Sequence, residues 1–144
     1  MLVQQILKSK SDDGVVTIAP ETSLAEAARI LAQRRIGALV VSPDGKRAVG
    51  ILSERDIVRE LAAKGAGCLM EPVQAVMTRA IVTCARDDNS DAILSRMTEG
   101  RFRHIPVVDG DTMVGLISIG DVVKAQIQEL AMEKEALEGM IKGF

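Results

Sequence analysis

One block of this chain is written twice. Val16-Thr17-Ile18-Ala19 recurs as Val82-Thr83-Cys84-Ala85, and Gly37-Ala38-Leu39-Val40-Val41 falls on Arg103-His104-Ile105-Pro106-Val107, a period of about 66 residues. After a one-residue difference in a turn, Val49-Gly50-Ile51-Leu52-Ser53-Glu54-Arg55-Asp56 meets Val114-Gly115-Leu116-Ile117-Ser118-Ile119-Gly120-Asp121. Two copies are present in the 144 residues, so the pattern predicts a pair of similar halves and not an open-ended array. A chain of this length buries about two-thirds of its surface on folding, enough for one compact module with a conventional core.

Each copy reads as strand, helix, strand, strand, helix. A short β-branched run (Val15 to Ile18; Ile81 to Cys84) leads through a polar turn into an amphipathic helix, with Leu24, Ala27, Ala28 and Leu31 on one face. The second copy of that helix spans about Ser90 to Glu99, buries Ile93, Leu94 and Met97, and is expected to stop at Gly100. A hairpin follows: Ala38 to Ser42 and Ala48 to Leu52 flank Pro43-Asp44-Gly45, while Ile105 to Val108 and Met113 to Ile117 flank Asp109-Gly110-Asp111. The closing helices begin at Ser53 and Ser118. The fold class predicted is α+β, with repeat 1 at about 3–64, a linker at 65–79 that includes a short helical piece near Val73 to Met77, and repeat 2 at about 80–124. A C-terminal helix takes 125–142, along which Val123, Ile127, Leu130, Leu137 and Ile141 recur at coiled-coil-like spacing, interrupted by Lys134.

Composition removes several classes of function. Trp and Tyr are absent and Phe102 and Phe144 are the only aromatic residues, so bases have no rings to stack on, and the formal charge of −2 offers no basic groove. Nucleic acid is therefore not an expected partner. The N-terminal stretch lacks the pattern of a signal peptide and no apolar run is long enough to span a bilayer, which predicts no membrane association and a cytoplasmic location. Cys68 and Cys84 lack CxxC spacing, and His104 is the sole histidine, so neither a metal site nor a Ser-His or Cys-His catalytic pair is expected. No P-loop, HExxH or GxSxG is present, and the chain is read as no enzyme.

The chemistry rests on Ser-x-x-Asp at the exit of each hairpin, Ser53 with Asp56 and Ser118 with Asp121. A Ser at the cap and an acid three residues on can serve purely as a capping box, although Asp is short for reaching back to the cap N–H. The same geometry also suits a nucleotide: the helix start and the Ser hydroxyl address phosphate, and a carboxylate can accept both hydroxyls of a ribose diol. Arg101-Phe102-Arg103-His104-Ile105-Pro106 is the second signal, with Arg103 and His104 toward phosphate and the main chain at Ile105 and Pro106 toward a base edge.

The repeated Val-Thr start, the Arg-His-Ile-Pro-Val-Val strand and Val-Gly-Leu-Ile-Ser-Ile-Gly-Asp-Val-Val closely resemble the CBS repeat, over about Val3 to Lys124. The resemblance is to stand-alone CBS pairs, or Bateman modules. It implies two halves packed sheet to sheet about a pseudo-twofold axis, with two clefts between them, each joining the Ser-x-x-Asp of one repeat to the first strand of the other. Carried onto this chain, it assigns a nucleotide site to Asp121 (ribose), Ser118 and Arg103 (phosphate), His104, Ile105 and Pro106 (base), Ile119 and Gly120 beside them, and Thr17, Ile18 and Ala19 from the other half. A second site would use Ser53, Arg55 and Asp56 with Leu39, Thr83, Cys84 and Ala85; there Gly37, Ala38 and Val40 replace the Arg, His and Pro. The resemblance further implies no catalytic cofactor, a ligand such as AMP, ADP, ATP or NAD(H), a homodimer, and a regulated enzyme or thioredoxin as partner. The competing reading is a structural or interaction protein whose Ser-x-x-Asp units only cap helices.

Overall fold

Two small sheets, each closed by its own helices, make up the computed structural model, which describes residues 1–10 and 15–142; Phe144 lies outside the described residues. Helix α1 (Val3–Ser9) comes first. The first repeat follows with β1 (Thr17–Ile18), α2 (Leu24–Arg34), β2 (Ala38–Val41), β3 (Gly50–Ser53) and α3 (Glu54–Lys64). Two short 3-10 turns, Ala66–Met70 and Val73–Ala75, lead to α4 (Ser90–Gly100), β4 (His104–Asp109), β5 (Thr112–Ser118) and α5 (Ile119–Ile141). In the first sheet β1 lies parallel to β2 through Thr17↔Val40 and Ile18↔Val41, and β2 pairs antiparallel with β3 from Ala38↔Ser53 to Val41↔Gly50. In the second, β4 and β5 pair antiparallel from His104↔Ser118 to Asp109↔Thr112, with a bulge at Val107/Val108.

The strand expected at Ile81 to Cys84 is reduced to one parallel bridge, Cys84↔Val107. Its counterpart explains why. The Val40 N–H donates to the Val16 carbonyl at 3.3 Å, but the residue at the matching place is Pro106, which has no N–H to give to Val82. The ladder keeps only the Cys84 N–H to Pro106 O bond at 3.0 Å and the Val108 N–H to Cys84 O bond at 2.9 Å.

Helix ends follow their chemistry with one correction. Ser23 and Asn89 cap α2 and α4 by accepting from the Glu26 and Asp91 N–H groups at 3.2 and 2.8 Å. Gly100, expected to stop α4, is its last residue; the left-handed position is Arg101, at φ 56°. The ring of Phe102 fills the space a Cβ on Gly100 would need, so this glycine serves packing and not the turn.

Two cores form, one per repeat, and the leading segments are exchanged between them. Val73 and Met77 pack with Ile18, Leu24, Leu39 and Leu52, whereas Val3 and Ile6 pack with Ile93, Met97, Ile105 and Ile117. The hydrogen bonds are equivalent in the two halves: Val73 N–H to Thr22 O and Gln74 N–H to Pro20 O match Val3 N–H to Asp88 O and Gln4 N–H to Arg86 O. Residues Val3 to Ser9, which sequence order attaches to the first repeat, therefore complete the second core. Each repeat is finished by the segment leading into the other, which ties the halves about their pseudo-twofold axis.

The duplicated Val-Gly of β3 and β5 belongs to this exchange. A Cβ on Gly115 would lie 2.6 Å from Leu7 Cδ2, and one on Gly50 would collide with Met77 Sδ. Each glycine makes room for the side chain of a docked segment.

Candidate functional site

Both Ser-x-x-Asp units form the reciprocal capping box. The Ser53 and Ser118 N–H groups each donate to Oδ2 of the aspartate three residues on at 2.9 Å, and the Asp56 and Asp121 N–H groups donate to the serine hydroxyls at 3.3 and 3.2 Å. The expectation that Asp is short for this reach is thus corrected. The serines sit in extended backbone (φ −104° and −94°), which turns their N–H toward the carboxylate.

What separates the two acids is the remainder of each carboxylate. Asp56 is buried, its Oδ1 accepts from Arg59 Nη1 at 3.2 Å and its Oδ2 also accepts from the Ser53 hydroxyl at 3.1 Å. Both oxygens are engaged. Asp121 is partly exposed; Oδ2 also accepts from Lys10 Nζ at 2.9 Å, and Oδ1 accepts no hydrogen bond from the described residues.

Asp121 lies on a cavity of about 470 Å³ between the repeats. Ser118 and His104 line it from the second repeat, Val16, Arg35 and Gly37 from the first, and Leu7 and Lys10 from the docked segment. His104 closes against the first repeat, its imidazole 3.6 Å from where a Cβ on Gly37 would be. Lys10 is held in place by the Leu116 carbonyl, which accepts from Nζ at 2.8 Å.

Burial pushes the His104 pKa below its ordinary value; Asp121 and Glu54 pull it up, while Lys10 and Arg103 reinforce the fall. The imidazole is therefore neutral at pH 7, able to donate from one nitrogen and accept at the other. Burial alone would raise the Asp121 carboxyl, but the Ser118 N–H and Lys10 outweigh it and hold the pKa below the usual carboxylate value. The cavity thus joins a pinned carboxylate, a neutral imidazole, two cations and aliphatic walls.

Of the residues expected at this site, His104, Ser118 and Asp121 line the cavity. Leading into the first strand, the wall is made by Val15 and Val16, immediately before the expected Thr17, Ile18 and Ala19, with Arg35 to Ala38 beside them, and Ile18 is committed to the first core. Ile105 is fully buried, the Pro106 carbonyl is bonded by Cys84, and the Arg103 carbonyl accepts from the Ile119 N–H at 2.8 Å. Ile119 packs against the second core, and a Cβ on Gly120 would lie 3.6 Å from the Ser118 hydroxyl.

The second set is less gathered. Ser53 and Asp56 are joined by the cap and Arg55 is exposed, but Leu39 is buried opposite Leu52, and Cys84 belongs to the second core. Thr83 is exposed, and the Ala85 N–H is taken by Asp88 at 2.8 Å. Burial pushes the Cys84 thiol up to about 11, with the charge on Asp88 adding to it and Arg96 opposing, so this sulfur is no nucleophile at neutral pH.

Sequence reasoning missed Lys10 and Arg35. Lys10 reaches Asp121 only because α1 docks on the distant repeat, 111 positions along the chain. Arg35 faces the cavity from a left-handed backbone position (φ 54°) that is usually a glycine. Among the described residues no group of His, Cys, Asp and Glu is placed to hold a metal, and no helix is long and apolar enough to cross a membrane.

Fold and site together define a two-repeat module with a ligand-sized cavity between its halves. The CBS domain model matches residues 5–63 and 73–128, and the chain belongs to that family. It is 30% identical over 148 residues to the mitochondrial CBS domain-containing protein CBSX3 of Arabidopsis thaliana, covering 98% of this chain and 72% of that one. The crystal structure of the CBS-domain protein ATU1752 from Agrobacterium tumefaciens superposes with a TM-score of 0.82 at 43% identity, over 88% of this chain and 99% of that one. Two further structures contain ligands. PAE2072 from Pyrobaculum aerophilum, complexed with AMP, has a TM-score of 0.76 at 27% identity over 92% of this chain and 99% of that one. The CBS pair of MJ0100, with 5-methylthioadenosine and S-adenosyl-L-methionine, has a TM-score of 0.77 at 25% identity over 90% and 98%.

Proposed function

We propose that this chain is a non-catalytic regulatory module that binds an adenosine compound in the cavity between its repeats. The observation that carries the reading is Asp121 on the cavity wall: its Oδ2 is pinned by Ser118 and Lys10, while Oδ1 accepts no hydrogen bond from the described residues and is left for a sugar hydroxyl. The volume falls within the roughly 300–1,000 Å³ usual for small-ligand sites. Ribosyl adenine is the unit shared by AMP, methylthioadenosine and S-adenosylmethionine, the ligands of the related structures. Lys10 and Arg35 favour an anionic member of that class, AMP, ADP, ATP or NAD(H), with the phosphate toward these two cations. Because both repeats wall the cavity, a ligand that prefers one angle between them shifts that angle, to the extent of its differential affinity. A partner protein reads the change.

The scaffold reading has one observation in its favour, the completed capping boxes in both repeats. The two readings part in a thermal-shift and calorimetric titration with adenosine, AMP, ADP, ATP, NADH and 2'-deoxy-AMP. At 100 times Kd a bound nucleotide stabilises the protein by about 2.7 kcal/mol, whereas a scaffold gains nothing. Asp121→Ala abolishes the gain, and 2'-deoxy-AMP binds at least about tenfold more weakly than AMP because a buried acceptor loses its partner. Equal responses in parent and variant would sink the assignment.

A further inference from the structure

Histidine is the one side chain that ordinarily changes charge between about pH 5 and 8, and the single histidine of this chain stands on the cavity wall. His104 opens β4 and pairs with Ser118 across the second sheet, so its backbone is fixed. Charges reach the imidazole from every element packed against it: Lys10 after α1, Glu54 at the start of α3, Arg103 just before β4, and Asp121 in α5. Arg35, beyond the end of α2, lines the same cavity. His104 Nε2 and Glu54 Oε1 lie 3.7 and 3.9 Å from where a Cβ on Gly37 would be, so ring and carboxylate come to the same glycine from opposite repeats.

We infer, on the ligand reading above, that His104 takes up a proton together with an anionic adenosine compound, so that acid strengthens the binding of phosphorylated ligands and weakens that of uncharged ones. In the free protein burial keeps the ring neutral, and the carboxylates of Asp121 and Glu54 do not overcome it. A phosphate held between Lys10 and Arg35 changes that balance, because it brings negative charge into the cavity that the ring shares and so favours the imidazolium. Adenosine does the reverse. It excludes water from the ring without supplying charge, and the imidazolium becomes harder to form. By linkage, a ligand that favours the protonated ring binds more tightly by the same factor once the ring is protonated. The anionic complex thus holds the proton at a pH where the free protein has lost it, and affinity for the anion rises as pH falls. His104 is a specificity-determining residue in this sense: its proton sets how strongly nucleotide is preferred over nucleoside.

A sole histidine gives a single imidazole Hε1 resonance in untagged protein, which proton NMR follows against pH in the free state, with saturating AMP and with saturating adenosine. The midpoint is expected to move to higher pH with AMP and to lower pH with adenosine. Because the AMP phosphate itself titrates near about pH 6, affinities from calorimetry are read as the ratio of parent to His104→Gln. Between about pH 7.5 and 5.5 that ratio is expected to rise about threefold to tenfold for AMP and to fall for adenosine. A midpoint that AMP leaves unmoved or lowers, or a ratio for AMP that stays flat with pH, would overturn the proton coupling while the nucleotide site stands. Absence of any AMP response at either pH would overturn the site and the coupling with it.

Discussion

Gly115→Ala tests whether the docked N-terminal segment builds the site. The added Cβ would lie 2.6 Å from Leu7 Cδ2 and 3.1 Å from Leu7 Cδ1, closer than packed carbons tolerate, while the backbone at Gly115 accepts an L-residue without strain. Leu7 has to swing away or α1 has to lift, and overpacking of this kind costs about 1–3 kcal/mol. Since the obstacle is the end of one side chain, the lower half of that range is expected. At about 2–4 °C per kcal/mol for a domain near this size, Tm falls by roughly 2–8 °C. Function follows, because Lys10 lies one turn beyond Leu7 and its hold on Leu116 O and Asp121 depends on where α1 sits. Adenosine-nucleotide affinity is expected to drop about threefold to tenfold. Leu7→Ala alone loses partly buried apolar surface, yet combined with Gly115→Ala it restores room, so the double variant is expected to be at least about 0.5 kcal/mol more stable than the sum of the single losses. Urea unfolding of the four proteins measures this. Additive losses would show that the glycine is not there to receive Leu7, and the account of the exchanged segments would fail with it.

Two other perturbations separate stability from binding. Arg35 and Arg101 occupy equivalent left-handed positions, where a side chain costs about 1–2 kcal/mol, so Arg35→Gly and Arg101→Gly should each raise stability by about 1 kcal/mol in chemical unfolding. Only Arg35 lines the cavity, so only its replacement should weaken AMP relative to uncharged adenosine, and equal binding effects at both positions would refute the phosphate role. For His104 the sign follows from its lowered pKa: below the unfolded value of 6.5 the unfolded chain takes up a proton that the buried imidazole declines, so stability falls as pH drops from about 6.5 toward the native value. His104→Gln should flatten Tm between about pH 7 and 5, and an unchanged slope would show that another group is responsible.

What could be read in advance, and what could not, divides along the range of the interactions. The helices around Leu24 to Leu31 and Ile93 to Met97, and both hairpins, follow from periodicity and turn residues, which are local. The duplication located the two acids because it marks the same helix entrance twice. Pro106 was legible as a residue but not as the cause of the shortened strand, since the N–H it lacks matters only once Val82 is placed across from it. Repetition also concealed a difference: by sequence Asp56 and Asp121 are twins, yet Arg59 closes one and Lys10, docked from far along the chain, holds the other at the cavity. Gly37 shows the same logic from the opposite side. It stands where the second repeat has Arg103, a departure that reads as a weakened second site. In the folded chain it lines the cavity beside the His104 ring, whose nearest atom is 3.6 Å from where a Cβ on Gly37 would be, so it belongs to the wall of the first. The asymmetry between the repeats is therefore what leaves Asp121, and not its twin Asp56, on the cavity between them, a consequence of pairing across the pseudo-twofold axis that neither copy carries alone.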